Sequence, residues 1–108
     1  MRKAEKEEAG RINELFIEML RSICHTDQVT GYSGNELDRF FNGGEEWICA
    51  AEAENRIIGF LSIEVHREAL SYLYLDDLSV SAEYRNRGIG TALIGKAEAY
   101  AEERSFYH

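Results

Sequence analysis

The chain has no proline at all, only two cysteines and a single tryptophan, and it is short of positive charge: 12 Lys+Arg stand against 20 Asp+Glu, a formal net charge of -8. That balance argues against nucleic acid, whose phosphates require a basic stripe, and against an anionic membrane surface. It is compatible with a cationic partner. Cys24 and Cys49 lie in apolar surroundings and match no metal-ligand spacing, so they read as reduced core thiols. No stretch approaches the roughly 20 apolar residues of a membrane span. The opening "MRKAEKEEAG" has no apolar run after its charges, which excludes a signal peptide there and makes the cytoplasm the expected location. Without proline, low-complexity runs or internal repeats, nothing reads as a linker, and 108 residues make one domain, 1–108. The hydrophobic fraction of 44% is enough for a core. A chain this short buries a smaller share of its surface than a longer one.

What is present is well patterned. Ile12, Leu15, Phe16, Met19, Leu20 and Ile23 form one stripe of an amphipathic helix, and "MRKA" before it is a candidate short strand. "CHTDQVTGYSGNE" reads as loop. Ser33 or Asn35 is placed to cap a second short helix through "ELDRFFN", ended by Gly43 and Gly44. "EWICAAEA" and "RIIGFLSIEVH" flank the tight connection "ENR" and predict a hairpin. On the second strand Ile58, Phe60, Ser62, Glu64 and His66 are expected to share a face. "SYLYLDDLSV" supplies a third strand, and the short connections predict an antiparallel meander. Helical spacing returns from Asn86 to about Arg104, through Ile89, Ala92, Leu93, Ala97, Tyr100 and Ala101. The expected class is α/β (α+β), in the order β-α-α-β-β-β-α.

The segment "RNRGIG", Arg85 to Gly90, sits where the third strand gives way to that last helix. A helix leaves its first N–H groups without internal partners, and its dipole places about half a positive charge there. Glycines let an anion reach those donors, and arginine forks suit phosphate oxygens. Residues 85–91 therefore predict a phosphate or pyrophosphate cradle. A Walker loop is absent, and a dinucleotide fingerprint would need a small residue where Leu93 stands and a parallel βαβ unit around it.

The whole stretch "LDDLSVSAEYRNRGIGTALI" resembles the motif of the GNAT family of N-acetyltransferases, in which Arg/Gln-x-x-Gly-x-Gly/Ala follows a strand and opens a helix. The order of elements upstream resembles the N-terminal half of that fold, so the resemblance covers essentially the entire chain. It implies acetyl-CoA as cosubstrate, with no metal. The motif residues Arg85 and Asn86 lead into the backbone N–H groups of Arg87, Gly88, Ile89, Gly90 and Thr91, which would hold the pyrophosphate. The backbone of Leu78, Ser79 and Val80 would pair with the pantetheine arm like an added strand.

Acetyl transfer to an amine needs a carboxylate to take the amine's proton and a polarised thioester carbonyl. The resemblance makes Asp76 the first candidate for that carboxylate and Asp77 the second; Glu64 on the neighbouring strand is third. Strand alternation is expected to send Asp76 and Asp77 to opposite faces. In this family the acceptor pocket is usually formed by the first two helices and their loop, which here carry or adjoin Tyr32, Phe40, Phe41 and Trp47; core packing is the commoner role for such aromatics. His25 and His66 receive no role. With Glu45 and Glu46 nearby, the acids favour a cationic amine such as a polyamine, an aminoglycoside or a protein amino group.

The family pattern continues with a fifth strand, a further helix and a final strand pair, and a tyrosine on the later helix commonly acts as general acid. This chain ends at His108, about where the fifth strand is expected, and Tyr107 comes too early to be aligned with that tyrosine, so no general acid is carried over. An open edge at "YLYL" predicts a homodimer or strand-exchanged oligomer. The competing reading is a remnant that binds CoA or a partner chain with little turnover.

Overall fold

The meander is present. A computed structural model describes residues 1–24, 28, 30–32, 36–42, 44–67 and 71–103. Strand β1 (Arg2–Lys3) is followed by a 3-10 turn at Lys6–Glu8 and helix α1 (Ala9–Cys24). A second 3-10 turn, Asp38–Phe40, precedes strands β2 (Trp47–Ala53), β3 (Arg56–Arg67) and β4 (Ser71–Val80). A third, Ala82–Tyr84, leads to helix α2 (Ile89–Glu103). The strands form one antiparallel sheet in the order β1-β2-β3-β4.

Alternation along β2 explains why there is a helix on each face. Ile48 and Ala50 pack with Ile12 and Leu15 of α1, together with Phe60, Leu37 and Phe40. Trp47, Cys49 and Ala51 pack instead with Leu93, Ala97 and Ala101 of α2. The four-residue spacing of those three, two of them alanine, brings α2 close to the sheet. β1 is fastened to its neighbour by Arg2, whose guanidinium reaches Glu8 at 2.6 Å and Glu52 at 2.8 Å.

The β2–β3 hairpin turns on Glu54 (φ 53°) and Asn55 (φ 63°), the two-residue geometry that suits twisted strands. A few residues further on, the register moves from Ala51↔Gly59 to Glu52↔Ile57, leaving Ile58 as the extra residue of a bulge. Ile58 therefore joins Leu61 against α2 while Phe60 faces α1, which corrects the expectation that Ile58 and Phe60 share a face. Gly59 has a packing reason: a Cβ there would stand 3.2 Å from the Ser79 carbonyl oxygen.

Three other expectations change. The second helix is a single 3-10 turn, because only Leu37 and Phe40 need burying and a spacing of three eclipses them in that geometry. Its proposed caps Ser33 and Asn35, like Gly43, His25 and Tyr107, lie outside the described residues. Ile23 is 64% exposed, since residues 21–24 all face solvent beyond the packed part of α1. Cys24 is on that same exposed turn, whereas Cys49 is in the core, where burial pushes its thiol pKa up.

Candidate active site

The glycine segment builds a shallow bowl. Asn86 and Gly88 both take positive φ, 62° and 77°, which turns the chain sharply into α2. The first intrahelical bond runs from the Ala92 N–H to the Gly88 carbonyl at 2.9 Å, so the N–H groups of Ile89, Gly90 and Thr91 precede the helical ladder. The first turn carries no acidic residue to compete for them. Val80, Tyr84, Arg85, Asn86, Gly88, Ile89, Gly90 and Thr91 line a depression of about 330 Å³. Among the described residues, its chain neighbours aside, nothing lies within 4 Å of where a Cβ on Gly88 would stand. This arrangement fits a pyrophosphate.

The two arginines divide the labour. Arg85 lines the bowl and is also tied to its wall: its Nε donates to the Val80 carbonyl at 3.0 Å, and its other nitrogens lie 3.4 Å from Ser22 Oγ and 3.9 Å from Glu18. Glu18 also accepts the Ala82 N–H at 2.7 Å, so α1 braces the loop. Arg87 is exposed and packs its guanidinium over the Tyr84 ring at 5.3 Å. It stands as an exposed cation beside the helix start.

β4 leads from the bowl to the acids. Leu78 packs toward α2, Ser79 is buried and donates to Met19 Sδ at 3.3 Å, and Val80 lines the bowl. Among the described residues β4 is the edge strand, with no strand on its outer side.

At Asp76 and Asp77 the strand breaks step. Leu61 faces Leu78 and Ile63 faces Leu75, so both aspartates stand against the single residue Ser62. Such a bulge adds one residue and reverses the alternation beyond it. Leu73 and Leu75 pack toward α2, and so does Leu78, which puts Asp76 and Asp77 together on the α1 side. The expectation that they point to opposite faces is overturned. Ser62 holds the bulge, its Oγ accepting the Asp77 N–H at 2.9 Å.

The carboxylates have different partners. The Tyr32 hydroxyl donates to Asp77 Oδ2 at 2.6 Å. Tyr32 is itself placed by its N–H bond to Asn13 Oδ1 at 2.8 Å and by stacking on Phe16 at 4.2 Å. Burial, then the Asp77 carboxylate, raises the Tyr32 pKa far out of reach, so it stays a hydroxyl. Arg39 ties together Asp76 at 3.3 Å, Glu46 at 3.5 Å and, most closely, Glu64. The Asp76 side chain keeps 29% of its exposure, and its pKa is raised by partial burial and by the charges of Asp77 and Glu64, against the pull of Arg39. Three carboxylates thus surround one guanidinium, with Asp77 beside them on Tyr32.

Sequence reasoning did not find Arg39 or Ser62, which reach the site only through tertiary contacts. Phe40 and Trp47 turn out to be core, and Trp47 is on the far face. Phe41 packs at the edge of the α1-side core. Glu46 joins the cluster, but Glu45 pairs with Arg67 instead. Among the described residues no group of His, Cys, Asp or Glu could hold a metal ion, and no helix is long and apolar enough to cross a membrane.

The sheet, the bulged acidic edge and the helix-start bowl together define an acetyltransferase fold. Residues 11–108 match the family described as acetyltransferase (GNAT), and the chain belongs to that family. Among curated proteins it is similar to streptothricin acetyltransferase A of Bacillus subtilis (strain 168), 38% identical over 53 residues. That match covers 49% of this chain and spans only 30% of the relative's length. Among solved structures it is similar to an aminoglycoside acetyltransferase from an uncultured soil metagenomic sample, in complex with sisomicin. There the TM-score is 0.74 at 19% identity, covering 97% of this chain and 70% of the other. A ribosomal-protein-alanine N-acetyltransferase from Brucella melitensis biovar Abortus 2308 gives 0.72 at 20% identity, covering 96% and 71%. These structural likenesses show the fold.

Proposed function

We propose that this protein is an N-acetyltransferase that moves an acetyl group from acetyl-CoA to a primary amine of a cationic small molecule or protein, by direct attack in a ternary complex. The observation that carries the proposal is the β4 bulge, which turns Asp76 and Asp77 to one side of the strand whose far end enters the anion-binding bowl.

Acetyl-CoA brings an activated thioester. The N–H groups of residues 87–91 hold its pyrophosphate, aided by the helix dipole and Arg87. The edge of β4 at Leu78–Val80, which carries no further strand among the described residues, receives the pantetheine arm by strand addition. Asp76 accepts the proton of the acceptor amine, directly or through water. Its raised pKa makes it a stronger base than an ordinary carboxylate. Asp77 is the weaker candidate, since its carboxylate is already engaged by Tyr32. Arg39 and Tyr32 hold the two acids apart and in place. The excess of negative charge selects a cationic acceptor. Aminoglycosides, named in the description of a solved relative, fit that class.

The test combines titration calorimetry with CoA and a thiol-release assay on a panel of amines. The expected outcome is CoA binding together with acetylation of polyamines or aminoglycosides in preference to neutral or acidic acceptors. Binding without turnover would select a CoA-binding protein instead, and absence of CoA binding would overturn the proposal. Asp76→Asn is expected to lower kcat by roughly 10²–10⁴, the usual contribution of a positioned base, with CoA affinity retained.

A further inference from the structure

The α1-side face of β3 and β4 continues past the acidic cluster into a group of aromatic rings to which the reaction above gives no task. His66 stacks on Tyr72 with centroids 4.9 Å apart and planes within 5°. Tyr74 meets His66 edge-on at 5.9 Å and is 51% exposed, one of three large hydrophobic side chains so open among the described residues. The register puts these rings beside the acids: Glu64 is opposite Tyr74 and His66 is opposite Tyr72. Asp76 follows Tyr74 by two residues on the same face. At the ordinary strand rise Tyr74 lies about 7 Å from Asp76, and Tyr72 about 13 Å.

We propose that this aromatic strip is a second subsite for the acceptor, binding a non-reacting cationic group of an elongated polyamine whose reacting amine is at Asp76. Exposed ring faces next to carboxylates are the chemistry that recognises organic cations, because the π-cloud and the acids attract the same charge. Glu64 is shared between the two halves of the strip, paired with Arg39 on one side and opposite Tyr74 on the other. A neutral or anionic ligand would gain nothing from the carboxylates alongside. The inference rests on the acetyltransferase reading for the identity of the reacting end, but its binding component stands without turnover.

The experiment measures equilibrium binding of spermidine and of n-butylamine to the full chain by titration calorimetry, with no acetyl donor present. Tyr74→Leu keeps apolar cover at the strip and removes the ring face; Tyr74→Phe restores the face without the hydroxyl. Spermidine is expected to bind the wild type more tightly than n-butylamine. Its affinity should fall roughly 2–30-fold in Tyr74→Leu, the range of one cation–π contact, and recover in Tyr74→Phe. Binding of n-butylamine should not change. An equal loss for both amines, an unchanged spermidine affinity, or a wild type that does not prefer spermidine would each overturn the proposal. Because these readouts need neither CoA nor turnover, they can fail while the acetyltransferase reading survives, and the reverse.

Discussion

Gly90→Ala should make this protein more stable and a poorer CoA binder at the same time. Gly90 is the second residue of α2, and a Cβ added to it would lie 3.7 Å from Leu78 Cδ2, an ordinary contact that displaces nothing. Alanine in a helix is favoured over glycine by about 0.5–1 kcal/mol. For a domain of this size that corresponds to a rise in Tm of roughly 2–8 °C. The effect on the ligand is opposite in sign. Helical Cα–Cβ bonds tilt toward the N-terminus, so the new methyl projects toward the exposed N–H groups that a pyrophosphate would occupy. Loss of one charge-assisted hydrogen bond is worth about 1.5–3 kcal/mol, or roughly 10–150-fold in Kd. Gly88→Ala is the control: with φ at 77° its alanine is strained, and the protein should lose about 1–2 kcal/mol as well as affinity. Thermal denaturation and CoA titration on both variants give the answer. If Gly90→Ala melts higher and binds CoA as the wild type does, the diphosphate is not held at the start of α2.

Two further predictions concern charge. Asp76 must be ionised to take a proton, so activity should rise with pH through its folded-state pKa, which Asp77 helps to hold up. Asp77→Asn should therefore move the acidic limb of the kcat/KM profile to lower pH; a limb that does not move would remove Asp76 from the role of base. For folding, the raised pKa means the native state favours protonated Asp76, so its ionisation lowers stability as pH rises through that value. Glu8 is the reverse case: Arg2 holds its carboxyl below the usual range. The stability it contributes is present above the ordinary carboxylate pKa and is lost as pH falls through the folded value. With Arg2 40% and Glu8 21% exposed, that contribution is within about 1 kcal/mol. Urea unfolding of Arg2→Met should differ from wild type at pH 7 and converge with it in strong acid, and an undiminished gap at low pH would refute the assignment.

The parts of the fold that follow from local pattern were legible. The apolar period placed α1 and α2, although α2 begins at Ile89 rather than Asn86, and turn chemistry at Glu54–Asn55 placed the β2–β3 hairpin. β4 coincides with "SYLYLDDLSV". What was illegible is where strand alternation fails. Ile58 and the Asp76–Asp77 pair are both bulge residues, and nothing within either strand marks an extra residue; only the facing register does. The short second helix was misread because "ELDRFFN" has helical polarity but only Leu37 and Phe40 are fully buried, with Phe41 at the edge of the core. Arg39 was invisible for a different reason. Its site role comes from three acids on β3, β4 and the approach to β2, none adjacent to it in sequence. Arg85 lines the bowl and also braces its wall through the Val80 carbonyl, a second task that composition cannot show.

The departures from good folding habit are concentrated rather than scattered. Between Asp76 and Gly90 the chain puts neighbouring acids on one face, leaves a strand edge unpaired among the described residues, and takes positive φ at Asn86 and Gly88. Each of these costs stability in isolation: like charges repel, bare edges invite misassembly, and a non-glycine residue in the left-handed region is strained. The surrounding residues offset them one by one. Ser62 and Tyr32 satisfy Asp77, Arg39 counters Asp76, and Glu18 on α1 secures the loop at Ala82. A stretch optimised for folding alone would need none of these supports. Local rules broken together along one strand and its exit, and compensated from α1, β3 and the Asp38–Phe40 turn, are what a preorganised site requires. The bulge sets the acids, the edge stays open, and the turn exposes the donors, so the three irregularities have one explanation.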